Sequence, residues 1–243
     1  MANFLVRQRR AVAMSQAATI IMAKRENMNS YAHFNFEIGN YFDRYSSFGM
    51  PKLKTIDFEL PKNFRLKAYR RTRIKNVSKE QDLCHFFIND ESMLTAFSTP
   101  KTTVEYLKNY YAVLEPNYSV YTDWPLALSV FNTYRTRWCG RYWQENGLKV
   151  IPTVVWGLRD TYGFCFDGIP KNSIVAIRPP PNFGKGFNAK EITEYLDGLE
   201  LMQFILKPKI IIAFGKLEKY IKKDIEVITV ESKRKDSSIL VRV

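Results

Sequence analysis

Three cysteines in 243 residues, Cys84, Cys139 and Cys165, are too few and too widely spaced for a disulfide framework, and no two form a Cys-x-x-Cys pair. That excludes a disulfide-stapled scaffold, a zinc knuckle and a dithiol redox motif, and fits a reducing compartment. Histidine is scarcer still. His33 and His85 lie far apart in the chain, which excludes a His-rich metal centre and leaves a Ser-His-Asp triad only two candidates for its base. Each is expected to be a surface or satisfied polar residue. No apolar run approaches the roughly 18 residues of a membrane span. After a basic opening, the stretch Ala11 to Ala23 carries Ser15, Gln16 and Thr19 among its apolar positions, the pattern of an amphipathic helix rather than a signal peptide. The expected location is therefore cytoplasmic.

Acidic residues are also in short supply. Against 37 Lys and Arg stand 24 Asp and Glu, a formal charge of +13 with an isoelectric point near 9.6, and such a surface attracts polyanions. The imbalance is local: residues 1–80 hold 16 of the cations and only 6 of the acids. The sequence thus divides into a basic N-terminal arm and extension, 1–80, and a core, 81–243.

What is abundant is apolar residues, 46% of the chain, enough for one substantial core. Residues 3–27 read as a helix with Arg7, Arg9 and Arg10 near its start. An aromatic, irregular segment follows to Met50, then a turn at Gly49-Met50-Pro51 and a weak strand over 53–60. Beyond residue 80, apolar runs at 83–88, 112–117, 149–156, 173–177, 210–214 and 225–230 alternate with helical material, notably 125–146 and 189–206. Strands separated by long crossovers pair in parallel. The expected fold is α/β, a mostly parallel sheet of about six strands, either open and doubly wound or curled into an incomplete barrel, with a basic helical or irregular N-terminal extension.

In either arrangement ligands bind beyond the carboxyl ends of the strands. Those ends carry Asn89-Asp90-Glu91, Glu115, Asp123, Trp156, Arg178 and Gly215-Lys216. Asp90, Glu115 and Asp123 are candidate acid/base groups or hard oxygen ligands, so a divalent cation enters only under an enzymatic reading; no cofactor and no fixed metal site is otherwise expected. Asp90 and Asp123 equally suit helix N-caps. Lys216 is far short of a phosphate-binding loop. Arg135, Arg137 and Arg141, interleaved with Trp138, Tyr142 and Trp143, suit phosphate contacts and base stacking, or else plain packing of a helix on the sheet. Trp156 and Trp143 are candidate stacking surfaces. Cys165 reads as an inert buried thiol. The densest basic stretch, Lys62, Arg65, Lys67, Arg70, Arg71, Arg73 and Lys75, is interleaved with Phe64 and Tyr69, a pattern that suits nucleic-acid contact and exceeds what solubility needs, or else is a solvated surface.

Several strings resemble an uncharacterised domain family of bacteriophages and other mobile genetic elements: Tyr121-Thr122-Asp123 with Pro125; Asn132, Tyr134-Arg135, Arg137, Gly140 and Tyr142-Trp143-Gln144; Gly147, Val150-Ile151-Pro152-Thr153 and Trp156; and Phe164 through Pro170. Gly49-Met50-Pro51 and His85 to Asp90 extend the resemblance to roughly residues 45–230. It implies a phage or plasmid setting within a host cell and no particular activity. Arg178-Pro179-Pro180-Pro181 and Gly215-Lys216 depart from the family pattern. Nucleic acid is the expected partner. The alternatives are an enzyme acting on a phosphorylated or nucleotide-like ligand, and a basic arm docking on an acidic phage or host protein.

Overall fold

A computed structural model describes residues 42–70, 76–180, 183, 188–230 and 238–242. The expected helix at 3–27, Arg7, Arg9, Arg10, Arg71, Arg73 and Lys75 lie outside the described residues. A small hairpin, β1 (Arg44–Tyr45) and β2 (Met50–Pro51), precedes the main sheet. The sheet contains β3 (Arg65–Ala68), β4 (Asp82–Phe86), β5 (Ala112–Pro116), β6 (Val150–Ile151), β7 (Thr153–Val154), β8 (Ile174–Ile177), β9 (Ile210–Ala213), β10 (Glu226–Val230) and β11 (Ser238–Arg242). The helices are α1 (Asp90–Ser98), α2 (Pro100–Leu107), α3 (Leu126–Glu145) and α4 (Ala189–Leu206).

The sheet order is β6-β5-β4-β3-β11-β10-β9-β8-β7. Strands β3 to β6 form one parallel ladder and β7 to β10 another. On one side β11 joins them, antiparallel to both β3 and β10. On the other side the ladders share a single chain segment. Its first half pairs with β5 through Val113↔Val150 and Leu114↔Ile151, its second half with β8 through Thr153↔Ala176 and Val154↔Ile177. Between them stands Pro152, whose nitrogen can donate to neither. No residue of this segment is paired on both sides, so the sheet curls without closing.

The two-residue period of each strand sorts its side chains. Leu66, Leu83, Ala112, Leu114, Ile151, Ile174, Ala176, Ile212, Ile228 and Val230 form one inner cluster drawn from both ladders. Val175, Ile177, Ile211 and Ala213 face outward onto Tyr195, Leu199, Met202 and Leu206 of α4. That helix begins at a capping box: the Asn188 side chain accepts from the Glu191 amide at 2.9 Å, and the Glu191 carboxylate from the Asn188 amide at 2.9 Å. It stops at Lys207, in the left-handed region, just before Pro208.

Two strands lie where none was expected. β3 sits inside the basic stretch and β11 inside the charged tail. The boundary drawn at residue 80 falls between β3 and β4, which are directly paired, and residues 40–243 cluster as one unit. Conversely, residues 53–60 form no strand. The start of that segment is fixed by side chains of α3: the Lys54 amide donates to the Gln144 carboxamide (2.8 Å), which returns a bond to the Lys54 carbonyl (3.1 Å), while Arg141 donates to the Lys52 carbonyl (2.6 Å). Nor does Asp90 or Asp123 cap a helix. Asn89 and Pro125 hold the cap positions, without side-chain cap bonds.

Asp82 explains why so basic a segment enters the sheet. Its fully buried carboxylate accepts from Arg65 at 2.6 and 3.0 Å and from the Ser78 amide at 2.8 Å, and lies 2.9 Å from the Lys67 ammonium. Burial pushes its pKa up, but the bonds from Arg65, Lys67 and Ser78 outweigh it and leave the carboxyl below its usual value. Its stabilisation is therefore present above about pH 4 and lost as pH falls through the folded-state pKa. Asp82→Ala should cost roughly 2–4 kcal/mol in urea unfolding at pH 7, less than for a wholly buried pair because Arg65 is part-exposed. A loss below about 0.5 kcal/mol would contradict this role.

Candidate functional site

The carboxyl ends of the strands place the expected residues very unequally. Glu115, at the end of β5, is fully buried and ion-paired with Arg137 of α3, itself buried. The Glu115 carboxylate also accepts from the Thr153 amide (3.1 Å), the Thr153 hydroxyl donates to the Glu115 carbonyl (2.9 Å), and Arg137 donates to the carbonyls of Thr153 (3.0 Å) and Asp167 (3.2 Å). Together these groups bind β5 to β7, where the strand pairing changes sides. Burial draws the Arg137 pKa down, and against the Glu115 carboxylate it remains charged at neutral pH. Gly140 makes the geometry admissible. A Cβ there would lie 2.2 Å from Glu115 Oε1.

Asp90 is occupied elsewhere: it accepts from the Ser119 amide (3.1 Å) and hydroxyl (2.9 Å) and lies 3.5 Å from Arg135. The Arg135 guanidinium stacks 3.6 Å above the Tyr118 ring centroid. Asp123 is exposed, in a segment that also exposes Tyr121, Trp124, Leu126 and Leu128. The three carboxylates thus have separate surroundings, and among the described residues no group of three His, Cys, Asp or Glu could hold a metal ion. Arg141 donates to Glu145 at 2.8 Å, so all three α3 arginines serve internal contacts.

The two tryptophans turn inward. Trp156 donates to the Tyr195 carbonyl (3.1 Å) and stacks on the Tyr195 ring at 4.9 Å, and Trp143 is buried against Phe86 at 5.2 Å. Both are core residues, not stacking surfaces. Burial raises the Cys165 thiol, in keeping with an inert side chain.

The basic stretch is divided by β3. Arg65 and Lys67 are committed to Asp82; Lys62 is exposed before the strand and Arg70 is exposed after it. Arg70 lines a cleft of about 850 Å³ with Tyr69, Ile88, Glu91 and Ser92, at the carboxyl ends of β3 and β4. Arg71, Arg73 and Lys75 follow it in sequence.

The expectation that His85 is a surface or satisfied polar residue is corrected: it is buried, and one of its ring nitrogens is unsatisfied. His85 shares the inner face of β4 with Leu83 and Phe87, and its Nδ1 accepts from the Phe87 amide at 3.3 Å, while the buried Nε2 has no partner. Burial, aided by Arg178, lowers its pKa to about 3. The alternation Leu83, His85, Phe87 within an apolar run was the available signal.

These elements define a class: a curled, parallel-dominated α/β domain with an aromatic-rich helix locked to the sheet by a buried ion pair. The chain belongs to a family described as a domain of unknown function (DUF4417), which matches residues 42–231. Its relatives include the "Gene 1 protein" of Mycobacterium phage L5, 34% identical over 199 residues, covering 77% of this chain and 83% of that protein. The "Gene 1 protein" of Mycobacterium phage D29 is 33% identical over 179 residues, covering 72% of this chain and 63% of that one. The phage resemblance read from the sequence is thus confirmed. No solved structure matches the chain. Among the described residues no helix is long and apolar enough to cross a membrane.

Two measurements test these environments. Gly140→Ala should lower unfolding stability by about 3–5 kcal/mol, the scale of a broken buried pair, whereas a loss near 0.5 kcal/mol would mean that Glu115 has room to move. For His85 the folded pKa, about 3, lies below the usual 6.5, so between these values only the unfolded chain takes up the proton. Stability should fall by up to about 1.4 kcal/mol per pH unit as pH drops below 6.5, and His85→Leu should flatten that slope.

Proposed function

We propose that this chain is a nucleic-acid-binding protein whose contacts are phosphates, met by Arg70 and the cations that follow it, Arg71, Arg73 and Lys75, with Arg7, Arg9 and Arg10 of the N-terminal arm adding to the same electrostatic attraction. The observation that carries this reading is the division of the basic stretch. Arg65 and Lys67 share the buried Asp82 carboxylate, whereas Arg70 is exposed at the edge of a cleft of about 850 Å³ beside the carboxyl end of β3. Four cations within six consecutive residues, 70–75, exceed what solubility needs, and phosphate neutralisation with counterion release supplies sequence-independent affinity. Arg135, Arg137 and Arg141 have no part in this reading because each is engaged inside the fold.

The test is fluorescence anisotropy with labelled single- and double-stranded DNA and RNA across a salt series. Affinity should fall steeply with salt, with a log–log slope of about −0.9 per phosphate neutralised on duplex DNA. Replacing Arg70, Arg71, Arg73 and Lys75 together by Ser should shrink that slope by roughly 3–4. No retention of any nucleic acid at low salt, or a fourfold variant that binds like the parent, would overturn the proposal. Stable co-purification with an acidic protein instead would favour protein docking.

A further inference from the structure

The mouth of the curled sheet, at the carboxyl ends of β4, β8 and β9, holds two donors that the fold leaves unused. His85 on β4, Arg178 after β8 and Phe214 after β9 continue the inward-facing positions of their strands, two residues beyond Leu83, Ala176 and Ile212, and Phe87 follows His85 just past the end of β4. The imidazole is buried, and its Nδ1 is taken by the Phe87 amide. That bond fixes the tautomer, because an acceptor Nδ1 puts the proton on Nε2. The Nε2–H donor is buried with no partner, an arrangement that costs free energy unless something accepts from it.

Across the mouth, one Arg178 nitrogen donates to the Phe87 carbonyl at 3.2 Å. This bond holds the guanidinium beside the end of the strand that carries His85, and among the described residues its other donors have no protein acceptor. Arg178 is exposed, and among the described residues no carboxylate is ion-paired with it. The walls are aromatic, with Phe87 and Phe214 rings 4.1 Å apart and Phe214 5.0 Å from the imidazole. Nε2 is buried, and the half-buried Phe214 ring packs beside the imidazole.

We infer that the mouth of the sheet is a binding site for the oxyanion of a small phosphorylated ligand, held by the Arg178 guanidinium and by the neutral His85 Nε2–H. A planar guanidinium offers paired donors to a phosphate, and a buried neutral donor adds a bond without a second charge to desolvate. The site shares no residue with the cations assigned to nucleic acid, so either reading can fail while the other stands.

The full chain, labelled with 15N at histidine, carries only two imidazoles, those of His33 and His85, and a His33→Gln variant assigns them. Titration with inorganic phosphate, and in parallel with a nucleoside monophosphate, should shift the His85 Nε2 and its proton and leave His33 in place. Arg178→Met, a change at an exposed position, should weaken binding by calorimetry roughly tenfold or more, the scale of one charge-assisted contact. Response to the nucleotide alone would identify a ligand needing more than its phosphate; response to both would identify an oxyanion site proper. A His85 signal unmoved by either probe, or an Arg178→Met protein that binds like the parent, would overturn the inference.

Discussion

The pairing of Glu115 with Arg137 sits where the sheet loses its continuity. Pro152 cannot donate to a neighbouring strand, and the segment around it passes from one ladder to the other without being paired on both sides. Hydrogen bonds that a continuous strand would make through its backbone are made here by a carboxylate and a guanidinium, which reach the amide and carbonyl of Thr153. Charges removed from water are tolerable only when closely paired and further hydrogen-bonded. The surroundings follow from that condition: Gly140 leaves room for the carboxylate, and the loop through Asp167 supplies a carbonyl to Arg137. At Gly168, in the left-handed region, an added Cβ would meet the Pro51 carbonyl at 2.3 Å, and the Gly168 carbonyl accepts from Leu53 at 2.8 Å. Hairpin, loop, helix and both ladders are thereby tied to a single buried point.

The same logic redistributes the charge. A surplus of cations read from the sequence suggests a broad basic face, yet Arg65, Lys67, Arg135, Arg137 and Arg141 each have an acidic partner in the fold. Arg70, just after β3, is by contrast exposed.

The parallel architecture was legible because period and length were unambiguous: α4 runs over the span the apolar stripe marked, and β5, β8, β9 and β10 fall on the apolar runs. β3 and β11 were not: β3 is half Arg and Lys and enters the sheet through Asp82, while β11 is a short apolar run after a charged stretch that reaches the sheet by pairing with β3, far back in the chain. Arg178 stood among the strand-end residues that the sequence marked. The roles of Glu115 and Trp156 could not be read, because a carboxylate at a strand end looks alike whether it faces solvent or a buried arginine. His85 was expected to be a surface or satisfied polar residue, because a lone histidine carries no local sign that its Nε2 is buried without a partner.

The most direct measurement is a double-mutant cycle on Glu115→Leu and Arg137→Met, followed by chemical unfolding. If the pair is the buried tie between the ladders, each single change strands a charge and costs about 3–5 kcal/mol, while the double variant regains at least about 2 kcal/mol relative to their sum. Additive losses, with a coupling below about 0.5 kcal/mol, would show that the two groups act independently and that something else holds the sheet together at Pro152.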